Sequence, residues 1–100
     1  MKGVRVKYTV SEDFVDQNKA NIAAVMQELR GREDIAVKYA AYLAPNGKTF
    51  RHVLLMRDDE ARAQLTGLAS FQAFQAALRP NLEAAPEVED WALVGSNYDA

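Results

Sequence analysis

From Val4 to Val10 the chain alternates: Val4, Val6, Tyr8 and Val10 fall on one side of an extended backbone, and Arg5, Lys7 and Thr9 on the other. Successive side chains of a strand point to opposite faces, so this stretch predicts a half-buried β-strand. The period then changes. After Ser11, Glu12 and Asp13, the positions Val15, Ile22 and Leu29, with Phe14, Asn18, Val25 and Met26 beside them, recur at helical spacing. Ser11 is a candidate N-cap, and the two acids after it suit the positive end of a helix. Arg30 suits its last turn, and Gly31 can supply a left-handed terminal residue.

"IAVKYAAYLA" (35–44) returns to strand character, and "TFRHVLLMR" (49–57) repeats it. Between them, Asn46-Gly47 predicts a type I′ turn and hence a hairpin. "DDEARAQLTGL" reads as a short helix. A second long helix, "FQAFQAALRPNLEA", is expected behind a Ser70 cap, with Phe71, Phe74, Leu78 and Leu82 on one face. Pro80 has no amide hydrogen and should end that helix near residue 79. Pro86 separates it from a last strand, "VEDWALVGS", and the tail "NYDA" is expected to be loose.

The order β-α-β-β-α-β predicts an α+β, ferredoxin-like fold: a four-stranded antiparallel sheet with two helices on one face, one domain spanning residues 1–100. Two helices cover only one side of such a sheet. The middle strands nevertheless carry apolar residues on both sides. Ile35, Val37, Tyr39, Ala41 and Leu43 oppose Ala36, Lys38, Ala40 and Tyr42, while Phe50, His52, Leu54 and Met56 oppose Val53 and Leu55. An uncovered apolar face marks an interface or a groove. A homodimer packed sheet to sheet is the simplest solution, with Phe50, Leu54 and Met56 near the interface or cavity.

Composition narrows the function classes. A net charge of −2 without a basic cluster argues against nucleic acid as a partner. The absence of cysteine removes disulfides and thiol chemistry. The opening stretch alternates valines with charges where a signal peptide would carry an unbroken apolar run, and no stretch approaches the ~18 apolar residues of a membrane span. A soluble, cytoplasmic protein with no membrane partner is expected.

The order of elements, the length, the doubly apolar middle strands and "SFQAFQAALRPNL" ahead of "VEDWALVGS" resemble the dimeric α+β barrel superfamily. The resemblance is greatest to its small antibiotic-biosynthesis-monooxygenase-like members and their uncharacterised relatives. It implies that two ferredoxin-like subunits form a barrel and that a cavity between sheet and helices in each can hold a small organic molecule. Activities in that superfamily include cofactor-free oxygenation of polycyclic aromatics, lactone isomerisation and haem breakdown. Its haem-degrading members carry an Asn on the first strand and a His on the second helix. Here the first strand has no Asn and the second helix offers Gln72 and Gln75, which argues against haem.

His52, the only histidine, is the leading chemical candidate, because an imidazole among Phe50, Leu54 and Met56 could move a proton or bind a carbonyl or phenol. The plainer reading is a core histidine satisfied by a neighbouring strand. Lys7 and Lys38, with Arg5, would face the open side of the sheet and could hold a carboxylate or enolate; cross-strand pairing with Glu87, Glu89 or Asp90 is the plainer account. Tyr8, Tyr39, Tyr42 and Trp91 are core or interface material first, and Tyr42 is the best ligand candidate among them because it shares a side with Lys38. Asp58, Asp59 and Glu60 are expected to serve a helix N-terminus, and no metal site is expected.

The ligand-pocket candidates are therefore His52, Lys7, Lys38 and Tyr42. The reading is a homodimer that binds a small, largely apolar organic molecule, as a cofactor-independent monooxygenase or isomerase. The alternative is a non-enzymatic dimeric ligand-binding or stress-related domain.

Overall fold

The computed structural model describes residues 1–97. Strands β1 (Lys2–Thr9), β2 (Val37–Leu43), β3 (Thr49–Met56) and β4 (Glu87–Ala92) form one sheet in the order β2-β3-β1-β4. All neighbours are antiparallel. Helix α1 (Val15–Arg30) joins β1 to β2, and helices α2 (Asp59–Thr66) and α3 (Ala69–Leu78) join β3 to β4. This is the ferredoxin-like α+β fold. The expectation of a loose tail falls mainly on residues 98–100, outside the described residues.

The alternation in β1 becomes the two faces of the sheet. Val4 and Tyr8 are buried toward the helices, while Arg5 and Lys7 are exposed on the other side. Register carries the same division across β3, where Val4 pairs with Leu54, Val6 with His52 and Tyr8 with Phe50. Buried residues from the helices, among them Phe14, Val25, Phe71, Phe74 and Leu78, pack with Val4, Phe50, Leu54 and Met56 in one core. Phe50, Leu54 and Met56 therefore face the helices.

Several local expectations change. Val15 opens α1 behind a 3-10 turn over Glu12–Phe14, so Ser11 caps that turn, and it does so through its backbone carbonyl, which accepts from the Phe14 N–H at 2.9 Å. Gly31 stays right-handed at φ −86°, because its N–H already closes the helix onto the Glu28 carbonyl at 3.1 Å. The hairpin forms, but without a type I′ turn. Gly47 alone takes a positive φ, 80°, among the described residues. Pro45 holds its own φ negative, and the Gly47 N–H reaches the Ala44 carbonyl at 2.9 Å. Asn46 then braces the loop, its Oδ1 accepting from the Lys48 and Thr49 amides at 3.0 Å each.

Ser70 is the second residue of α3, whose N-cap position is Leu68. Its N–H and O–H both donate to Glu28 Oε1, at 3.2 and 2.6 Å, and tie α3 to α1. Those two bonds hold the Glu28 carboxyl below its ordinary pKa. Asp58 caps α2, accepting from the Ala61 N–H at 2.9 Å, and Asp59 pairs with Lys2 at 2.6 Å. Pro80 acts as expected: α3 stops at Leu78 and a 3-10 turn over Arg79–Asn81 follows. No helix among the described residues is long and apolar enough to cross a membrane.

Candidate functional site

His52 lies at the centre of β3 on the helix-facing side and is 2% exposed. Its in-register neighbours are small or aliphatic, Val6 on β1 and Ala41 on β2. The polar contacts come along the diagonals, which long side chains can span. Tyr8, two residues beyond Val6, places its hydroxyl 2.7 Å from Nε2, and Tyr39, two residues before Ala41, places its own 2.5 Å from Nδ1. The two tyrosines approach from opposite strands and opposite diagonals, so each ring nitrogen has its own phenol.

Helix α1 adds a fourth member. Asn18 is fully buried, and its Nδ2 donates to the Tyr8 hydroxyl at 2.9 Å. Its Oδ1 is buried with no hydrogen-bond partner among the described residues. Phe74 of α3 stacks on the imidazole, with ring centres 5.5 Å apart and planes at 28°.

Burial sets the protonation states. Desolvation pushes the His52 imidazole down from 6.5 to about 4, because the charged ring would lose its water without gaining an anion. Burial pushes the Tyr8 phenol up to about 12, partly offset by the Asn18 hydrogen bond. Burial also raises Tyr39, and the neighbouring Tyr8 adds to the rise. All three groups are neutral near pH 7. A neutral imidazole has one N–H, so it donates to one tyrosine and accepts from the other.

A cavity of about 260 Å³ lies against this network, between the sheet and α2 and α3. Its walls are mainly apolar, from Val4, Val6, Leu54, Leu65, Phe71 and Phe74, and His52, Tyr8 and Tyr39 are the polar residues that line it from the sheet. Gln75 of α3 and Thr66 and Arg62 of α2 add others. Val88 of β4 also lines the space and is 58% exposed, so the cavity opens beside that strand. There Arg62 lies 3.7 Å from the Asp90 carboxylate. A small, mostly apolar pocket with a few convergent polar groups is the usual form of a small-molecule site.

Of the four candidates read from sequence, His52 alone lines this cavity. Lys7, Lys38 and Tyr42 belong to the opposite face of the sheet, because they alternate with Val6, Tyr39 and Ala41 along their strands. Lys7 stands opposite Glu87 in register and Arg5 opposite Glu89. Among the aromatics, Tyr8 and Tyr39 flank the histidine, whereas Tyr42 and Trp91 are 60% and 54% exposed on the open face. Sequence reasoning missed Asn18 as a functional group. Its signal was available: an amide in the apolar stripe of α1, four residues after Phe14 and seven before Val25.

The class of the protein follows from this arrangement: a ferredoxin-like α+β sheet with a small apolar cavity beneath its helices. No family model matches the chain, and no curated protein matches it. Solved structures do share the fold. The chain is similar to a structure described as an antibiotic biosynthesis monooxygenase, at a TM-score of 0.83 and 11% identity over 95% of this chain and 100% of that one. It is similar to Rv0793 from Mycobacterium tuberculosis, at 0.82 and 15% over 97% and 98% of the two chains. A protein of unknown function from Nitrosomonas europaea matches at 0.77 and 15%, over 99% of this chain and 94% of its own. At these identities the likeness is one of fold.

Proposed function

We propose that this protein is a homodimer that binds a small, largely apolar cyclic compound carrying a carbonyl or hydroxyl oxygen, and that it stabilises, without a cofactor, the enolate left when the α-proton of that compound passes to solvent. The observation that carries the reading is His52 at the wall of an apolar cavity with a phenol on each ring nitrogen. Buried hydrogen-bond donors aimed at a developing oxyanion are far more effective in such a space than in water. Cofactor-independent oxygenation and isomerisation both proceed through an enolate or a related anion, and structures of this fold include one described as a monooxygenase.

The dimer reading rests on the open face. Tyr42 and Trp91 are exposed there, beside half-buried Val53. Arg5, Lys7 and Arg51 lie toward the middle of that face and Glu87 and Glu89 toward the β4 edge. Two copies packed about a two-fold axis would set the acids of one over the cations of the other, which suits a second copy of this chain better than an unrelated partner.

The test is α-proton exchange in a bicyclic ketone held in deuterated buffer. Exchange catalysed by the protein and lost in His52→Ala supports an enzyme. Binding with no exchange favours the non-enzymatic ligand-binding module, a reading supported by the engagement of both imidazole nitrogens before any ligand arrives. Absence of binding to any cyclic ketone or phenol contradicts both.

A further inference from the structure

The chain Asn18–Tyr8–His52–Tyr39 has a direction, and Asn18 sets it. Tyr8 receives a hydrogen from Asn18 Nδ2, so its own hydrogen must go elsewhere, and the acceptor in reach among the described residues is His52 Nε2. Nε2 is then the accepting nitrogen. The single imidazole hydrogen falls on Nδ1 and is donated to the Tyr39 oxygen. Tyr39 has now accepted from the ring, and its own O–H is left to donate. Tyr39 lines the cavity.

The opposite direction would need the Asn18 amide turned round, with its oxygen accepting from Tyr8. That would leave the whole NH2 group without a partner in a fully buried residue, in place of one under-used carbonyl oxygen. Buried amide hydrogens without partners are rarer in proteins than under-satisfied carbonyls. The observed orientation is the less costly one.

We propose that Asn18 is a positioning residue that fixes the polarity of this chain, so that Tyr39 presents a hydrogen-bond donor to the cavity and the site selects ligands with an acceptor oxygen, a ketone, quinone or enolate, over neutral phenols. This rests on the ligand-binding reading above and names the ligand class that it left open. A phenol bound in the same place would meet a donor with its weaker acceptor oxygen and leave its own hydrogen unpaired in an apolar pocket. Asn18 touches no ligand; it acts through Tyr8 and His52.

The test uses the unliganded protein first. With one histidine in the chain, nitrogen NMR reports the His52 tautomer without assignment. The wild type is expected to carry its hydrogen on Nδ1. Binding of α-tetralone, an acceptor, and α-naphthol, a donor, is then compared, with the ketone favoured about tenfold, the worth of one mismatched hydrogen bond. Asn18→Asp supplies an acceptor to the Tyr8 hydroxyl. It should reverse the chain, move the hydrogen to Nε2 and favour the naphthol. Asn18→Leu removes the handle while keeping the volume, and it carries the test if the aspartate variant does not fold. Both tautomers should then be populated and the ketone preference should fall to about threefold or less, since nothing any longer fixes the donor direction.

A wild-type ring protonated on Nε2, or a ketone preference unchanged in Asn18→Leu, overturns the proposal. Equal binding of the two probes to the wild type also overturns it and leaves the cavity reading standing. Binding of neither overturns both.

Discussion

The ring of His52 meets the hydroxyl of Tyr8 at 2.7 Å, although the ladder pairs His52 with Val6 and Tyr8 with Phe50. The contact crosses the sheet diagonally, and Tyr39 repeats it from the other side. Small and aliphatic partners directly opposite the histidine leave room for the two phenols to reach in. The network is therefore a product of register, and a single-residue slip of β3 would turn His52 to the opposite face.

Acid should weaken the fold through this histidine. Its folded-state pKa, about 4, lies below its ordinary value of 6.5. Between those values the unfolded chain binds a proton that the folded chain refuses, so stability rises with pH across that window and is lost as pH falls through it. The full effect amounts to about 3 kcal/mol. Denaturant unfolding at stepped pH is expected to show this slope in the wild type and to lose it in His52→Gln.

Tyr8→Phe and Tyr39→Phe should part company. The first strands both Asn18 Nδ2 and His52 Nε2 in the buried core and is expected to cost about 1–3 kcal/mol. The second takes the hydroxyl from a cavity-lining residue and leaves the His52 Nδ1 hydrogen without its partner, one stranded group against two, so it should cost less stability than the first and reduce ketone binding more. Paired thermal denaturation and calorimetric titration of the two variants measure the difference.

At the other end of the cavity, Asp58→Ala removes the cap of α2, the helix that brings Leu65 and Arg62 to the wall. A loss of about 0.5–2 kcal/mol is expected. Asp58→Asn, which can still accept from the Ala61 amide, should recover most of it. Chemical unfolding of both variants checks this.

Trp91→Asp tests the dimer. Trp91 is 54% exposed and makes no contribution to the cavity side of the sheet. An aspartate there should leave the monomer fold intact and abolish self-association, since an aromatic that anchors an interface is commonly worth about 2 kcal/mol or more. Sedimentation at micromolar concentration is expected to give a dimer for the wild type and a monomer for the variant. A monomeric wild type would contradict the dimer.

The fold was legible because its periods are clean. Val4, Val6 and Tyr8 state a strand, Phe14 through Leu29 a helix, and Pro80 a helix end, and each follows from local chemistry. The termini were less so. Ser11 and Ser70 look like caps in sequence, but a 3-10 turn took the first position and a tertiary bond to Glu28 claimed the second. The site was half legible. His52 stood out as the only histidine, set in a largely apolar strand, and Lys7, Lys38 and Tyr42 were added as side chains expected on the open side of the sheet that could hold a ligand. Face alternation puts those three on the other side of the sheet. The true companions, Tyr8, Tyr39 and Asn18, read as core because burial is where they are. Their hydrogen bonds depend on diagonal register and helix packing, which no local pattern carries.

The most direct measurement is the NMR signal of the His52 ring in the wild type as α-tetralone is added at neutral pH. A neutral ring whose nitrogen and proton resonances shift saturably with the ketone is the expected result, with the shift abolished when the cavity wall is filled by Val6→Phe. A ring that titrates near its ordinary 6.5 and ignores the ketone would contradict the account.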